Sequence, residues 1–394
     1  MLRIIESSCL SGKKSSSFRG ALLASGVTAF AGLGDALLYP VLPIYGKEMG
    51  FSVFFIGVLL SINRFVRILA NTPIANLIDR IGMKSMLIAS STLAVITTLC
   101  YGLKLGLISF LIARVVWGLS YSGLKIATLN YAAKVKKTAG LAFGLSSSVK
   151  SLGGLFALWF CPILVAKVGV ENGFFTIALI SLVGVLLALS LPKVELNTRS
   201  VKVRAQKTFY PSPMNLLIFI LSVSIDGILV VALSNLLKDE YPDTSQLLTI
   251  VAFYLLLRCL FAFGFSFLSG ILTLKIRPIA LFNLAVGCCC VATILIAFNQ
   301  VMAGIILAFL FNTLVVAFSP LIAIQTLIEK RNSLQVISSI STWWDLGAAV
   351  GAFVGIYLIE TLGTQPLFLL LSILIIILFT KHIIQHGKAN RAVI

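Results

Sequence analysis

The chain has 394 residues, of which 59% are hydrophobic and only 11% charged, with a mean hydropathy of +1.06. That balance excludes a soluble domain with an ordinary polar surface. The formal net charge of +18 would suit a nucleic-acid binder, but the placement of the Lys and Arg residues argues for a membrane protein instead.

A helix needs about 20 apolar residues to cross the hydrocarbon core. Twelve segments qualify, near residues 20–45, 52–75, 84–103, 107–131, 138–166, 173–191, 213–236, 246–272, 278–298, 301–327, 335–361 and 366–386. Their continuous apolar runs lack the alternation of barrel strands. In a bilayer the backbone must then satisfy itself as helix, so the predicted fold is an all-α membrane bundle of twelve helices. Residues 1–19 carry no sustained apolar core and read as a cytoplasmic tail rather than a signal peptide. With that tail inside, inner loops and tails hold 21 of the 31 Lys and Arg residues, and the outer loops only Lys47, Lys104, Lys167 and Lys238. This is the positive-inside pattern with both termini cytoplasmic, as expected of a multi-pass protein of a bacterial inner membrane.

A basic, Pro-flanked linker at 192–212 divides the chain into a first half at 20–191 and a second at 213–386, followed by a tail at 387–394. Shifting the first half by 191 places Asp35 on Asp226, Arg67 on Arg258 and Lys84 on Lys275; a shift of 194 places Gly169 on Gly363. Parallel repeats of even helix number predict a substrate site near the midplane and halves that rock around it. Gly140, Gly144, Ser148, Gly153 and Gly154, and then Gly347, Gly351 and Gly355, read as faces on which helices of opposite halves approach closely.

The stretch "ANLIDRIGMKSML" at 75–87 resembles the major facilitator superfamily signature G-x-x-x-D-R-x-G-R-K, matching at Asp79, Arg80, Gly82 and Lys84 but with Ala75 and Ser85 at its ends. In "ARVVWGLSYSG", Arg114 and Gly118 resemble the superfamily's fourth-helix R-x-x-x-G, and "PVLP" at 40–43 resembles the first helix of its drug-proton antiporters. The resemblance implies a monomeric, proton-linked transporter of two six-helix halves, gated by Asp79, Arg80, Gly82 and Lys84. The fifth helix departs from the antiporter pattern: Pro162 comes late after Gly153 and Gly154.

Ionisable residues inside the membrane are expensive and mark ion or substrate pathways. Six cations, Arg64, Arg67, Arg114, Lys125, Lys150 and Arg258, face three carboxylates, Asp35, Asp226 and Asp345. The excess of positive charge favours an anionic substrate. Helical spacing aligns Arg64 with Arg67, Arg114 with Tyr121 and Lys125, and Asp35 with Tyr39. Burial raises a carboxylate's pKa and a nearby cation ties that pKa to what else is bound, so Asp35 is the leading proton-coupling candidate. Asp226, Asp345 and, from the fourth-helix motif, Arg114 follow it. Arg67, Arg114 and Lys150 are its possible partners; the alternative is a permanent pair that only fixes packing. Arg64, Arg67, Tyr39, Tyr121, Lys150, Arg258, Trp343 and Trp344 are the substrate-binding candidates.

No phosphate-cradling Gly-Lys-Ser/Thr run is present, and His382 and His386 lack a third ligand, so neither ATP, a metal nor a cofactor is expected. Cys288, Cys289 and Cys290 read as small packing residues. The sequence therefore points to a transporter for a small molecule and protons, in contact with membrane lipids and without enzymatic chemistry. Export of a drug or a polycarboxylate metabolite such as a siderophore is the favoured activity, and uptake of an anionic nutrient the alternative.

Overall fold

The computed structural model describes residues 12–46, 50–103, 105–135, 138–194, 211–238, 240–327 and 332–391. Lys47, Lys104, most of the linker and the ends of both tails lie outside the described residues. Among the described residues every regular element is helical. The chain forms two compact units, Met1–Arg204 with Ser333–Gln335, and Ala205–Asn332 with Val336–Ile394.

The first unit contains α1 (Gly12–Ala31), α2 (Leu33–Tyr45), α3 (Val53–Ile81), α4 (Met83–Gly102), α5 (Gly106–Ala133) and α6 (Ala139–Leu189). Helix α3 starts where Ser52 Oγ accepts the Phe55 N–H at 3.4 Å and stops at Gly82, whose φ of 87° and ψ of 156° suit a residue without Cβ. The glycine of the superfamily-like signature is thus the turn between α3 and α4. Helix α6 folds back on itself at Gly169 (φ 80°, ψ 171°). Both its arms lie on α1: Gly153 abuts the Ala29 backbone, and Gly184 abuts Val27 and Phe30. The core gathers Leu37, Leu38 and Leu42 from α2 with Tyr101, Phe110, Phe174 and Ile177. Tyr101 stacks on Phe110 at 4.8 Å between ring centroids.

The second unit contains α7 (Pro213–Leu221), a π-helical segment (Ser222–Leu229), α8 (Leu233–Leu237), α9 (Thr244–Leu272), α10 (Pro278–Ala297), α11 (Val301–Leu327), α12 (Ser333–Leu362) and α13 (Thr364–Arg391). Ser212 caps α7 by accepting the Asn215 N–H at 3.1 Å, with Pro213 at the first turn where its missing N–H costs nothing. Helix α12 lies against α7 and the π segment: Gly347 meets the Phe219 carbonyl, Gly351 meets Val223 and Gly227, and Gly355 meets Ile228. This corrects the expectation that these glycines face the opposite half. Their close approach is spent inside one unit, where backbone meets backbone.

Among the described residues, ten helical segments are long and apolar enough to cross a membrane: 17–39, 55–81, 83–102, 106–133, 139–161, 163–189, 249–272, 278–297, 301–325 and 364–384. The remaining two expected segments are also helical but differ in form. Pro213–Leu229 is a shorter apolar helix, broken from α8 at Ala232, and 335–361 falls within α12, a helix of 30 residues.

Gly169 and Gly363, matched by the 194-residue shift, take φ values of 80° and 81°. The internal repeat therefore reaches the backbone angles of two corresponding turns. At Gly169 an L side chain enters a region that is essentially glycine-only, at about 1–3 kcal/mol. Gly169→Ala is expected to lower stability by that amount, read as a drop in the thermal midpoint of the detergent-purified protein; an unchanged midpoint would contradict the assigned turn.

Candidate functional site

In the first unit α5 brings Arg114 against α2 and α3. Its Nη1 donates to Asp35 Oδ1 and its Nε donates to the Leu59 carbonyl at 2.7 Å. One turn further, Gly118 lets α5 approach α3, where a Cβ would sit 3.0 Å from Val66 and from the Asn63 carbonyl. Arginine and glycine at this spacing therefore do one job: the glycine closes the helix contact that the arginine bridges. The Arg114 side chain is 0% exposed and that of Asp35 19%. Tyr39 and Tyr101 lie within electrostatic reach of the pair; Tyr101 is buried and Tyr39 exposed.

Of the three partners considered for Asp35, the structure selects Arg114. The Arg67 guanidinium instead lies over the Tyr121 ring, 4.9 Å from its centroid, a cation–π contact, and Trp117 packs beside Tyr121 at 5.6 Å. Arg64 is half-buried one turn before Arg67. Lys150, on α6, is close enough to Lys125 for the two charges to interact. Asp79 and Arg80 are exposed at the end of α3, and Lys84 is half-buried in the first turn of α4.

The second unit holds the repeat-related carboxylate differently. Asp226 sits in the π segment, where Oδ1 accepts from Arg258 Nη2 and from Asn312 Nδ2 at 3.2 Å. The Arg258 guanidinium also lies 5.7 Å from the Phe309 ring centroid. Asp345 is buried on α12. The tryptophans before it tie that helix to α7 and the π segment: the Trp344 carbonyl accepts from Ser222 Oγ at 2.8 Å, and Trp343 meets Phe219 edge-on at 5.8 Å. His382 packs edge-on to Phe282 at 5.9 Å, and the side chain of His386 lies outside the described residues.

Two contributors escaped the sequence reading. The Leu59 carbonyl has no side-chain signature at all. Asn312 did leave a signal, a lone amide in the apolar run "LAFLFNTLVV".

A family model described as Major Facilitator Superfamily matches residues 24–332. The chain belongs to the Major Facilitator Superfamily. It is accordingly a transporter rather than an enzyme, and a multi-pass membrane protein. Among curated proteins, the inner membrane transport protein YnfM of Escherichia coli (strain K12) is 31% identical over 140 residues. That match takes in 34% of this chain and 32% of YnfM, so it spans about a third of the relative's length. Among solved superfamily structures, the chain is similar to the human organic anion transporter MFSD10 (TETRAN), with 16% identity, a TM-score of 0.67 and coverage of 93% and 98% of the two chains. It is similar also to the E. coli fucose:proton symporter FucP, with 14% identity, a TM-score of 0.73 and coverage of 93% and 98%. The proton:xylose symporter XylE gives 13% identity, a TM-score of 0.71 and coverage of 93% and 95%. At such identities the likeness is one of fold.

Proposed function

We propose that this superfamily member is a proton-coupled secondary active transporter that exports a small organic anion by alternating access, as a monomer of twelve spans with both termini and the 192–212 linker cytoplasmic. The observation that carries the coupling is the Asp35–Arg114 pair. Arg114 is fully buried and cannot shed its proton, so the pair has one adjustable member, the carboxylate. Protonating Asp35 removes the counter-charge of a guanidinium whose other bond goes to Leu59. A buried cation left so must find new partners, and that re-pairing is the step that links proton and cargo.

Arg64, Arg67, Lys125 and Lys150 add positive charge to the same unit, which supports an anionic cargo such as a drug or a polycarboxylate metabolite of the siderophore kind. Asp226 and Asp345 stand behind Asp35 as proton sites, and Tyr39, Tyr121, Trp343 and Trp344 are aromatic contacts for the cargo. Asp79, Arg80, Gly82 and Lys84 gate the inner ends of the helices. Export follows from the antiporter-like "PVLP". Proton-linked uptake is the second reading, favoured by the proton symporters named among the fold neighbours.

Proteoliposomes loaded with a pH dye test the proposal, with citrate-like, phosphorylated and cationic compounds added to wild type and to Asp35→Asn. An anion should move protons in wild type and fail to do so in Asp35→Asn, while still binding to both. The sign of the pH change relative to the anion gradient separates antiport from symport. Unchanged coupling in the variant would remove Asp35 from the mechanism.

A further inference from the structure

The two repeat-related carboxylates, Asp35 and Asp226, sit in ion pairs that expose opposite partners. In the first unit the guanidinium of Arg114 is sealed at 0% exposure and the carboxylate of Asp35 is 19% exposed. In the second the side chain of Asp226 is 8% exposed and that of Arg258 is 34% exposed. We propose that the pairs have divided the labour: the first unit presents a carboxylate that takes the proton, and the second presents Arg258 as the group that binds an anionic moiety of the cargo. This assignment rests on the reading of the cargo as an organic anion and gives that anion a residue.

The hydrogen-bonding inventory supports the division. A guanidinium carries five N–H donors in a planar fork. Arg114 commits Nε to Leu59 and Nη1 to Asp35 and is closed off from solvent, so a cargo group has no route to it. Arg258 gives Nη2 to Asp226 and remains one-third exposed, which leaves an accessible edge for a carboxylate or phosphate to accept two parallel bonds. Asp226 serves there as a positioning residue. Its Oδ1 is held by both Arg258 and Asn312, which fixes the rotamer of the arginine, and its burial keeps it from competing for the cargo. Phe309 supplies a ring face under the same guanidinium. The cargo that fits this arrangement has a carboxylate or phosphate on an apolar or aromatic body.

The test uses the purified full chain in detergent and reads thermal stabilisation by citrate, benzoate and phenyl phosphate, with tetraphenylphosphonium as the cationic control. The most effective anion should bind roughly ten- to hundredfold more weakly to Arg258→Gln, the range of a lost charge-assisted pair of bonds. Arg258→Lys, which keeps charge but not the fork, should fall in between. Arg258→Gln strands Asp226 and is at risk of misfolding; the double variant Asp226→Asn/Arg258→Gln removes both charges together and carries the same expectation.

An anion that stabilises wild type and the Arg258 variants equally overturns the assignment of Arg258 while leaving the anionic reading intact. Stabilisation by the cation alone, or by none of the anions, overturns the anionic reading and this assignment with it. Carboxylates acting without phenyl phosphate, or the reverse, identify which anionic group the arginine takes.

Discussion

Asp35→Ala is expected to destabilise the purified transporter by about 3–5 kcal/mol, the cost of breaking a buried ion pair by removing one partner. Arg114→Met, which removes the other partner, is expected to cost less. The asymmetry follows from which charge is left behind. Without Asp35, the guanidinium is fully buried, permanently charged and left with neutral partners, the Leu59 carbonyl and the Tyr101 hydroxyl. Without Arg114, the carboxylate can neutralise itself by taking a proton, and its partial exposure lowers the cost further; methionine refills much of the volume. The double variant Asp35→Ala/Arg114→Met should be less damaged than Asp35→Ala alone, because the stranded charge is gone. Thermal unfolding of the four proteins measures all three differences. If Arg114→Met proved the more damaging single change, Arg114 would be chiefly a packing element and the carboxylate would not be the adjustable member of the pair.

The same pair marks how far the sequence could be read. The apolar runs and the matched charges Asp35 and Asp226, Arg67 and Arg258, are properties of spacing along one chain, so they were legible. Which cation meets Asp35 depends on how α3, α5 and α6 are rotated about their axes, and apolar helices with weak periodicity leave that rotation open. By repeat logic Arg67 should serve Asp35 as Arg258 serves Asp226; in the structure the fourth-helix arginine does so, and Arg67 turns to Tyr121. Gly153, Gly347, Gly351 and Gly355 do mark close contacts, but a small residue records only how near a neighbour comes. It does not record which helix the neighbour is, and Gly351 meets the π segment of its own unit. The π segment itself, which aims Asp226 at Arg258 and Asn312, has no signature in "SVSIDGIL" that distinguishes it from ordinary helix. Local insertions of this kind cluster at functional positions, and here one carries the only carboxylate of its helix.

That segment makes the second large prediction. Gly351→Leu should cost about 3 kcal/mol, at the upper end of overpacking, because the added atoms have only backbone to displace. A Cβ at Gly351 overlaps the Val223 carbonyl and lies 2.9 Å from the Gly227 Cα, and neither can rotate aside as a side chain would. Separating α12 from the π segment also moves Asp226, so any folded Gly351→Leu protein should lose anion affinity alongside Arg258→Gln. Gly154→Ala is the matched control: it is a glycine of the same kind on α6, with nothing among the described residues within 4 Å of its Cβ position. There the substitution should be neutral or stabilise by about 0.5–1 kcal/mol, through the reduced freedom of the unfolded chain. Size-exclusion profiles and thermal midpoints of the two variants decide the matter. Equal tolerance at both positions would mean that α12 can pull back without penalty and that the backbone contact does not hold the π segment in register.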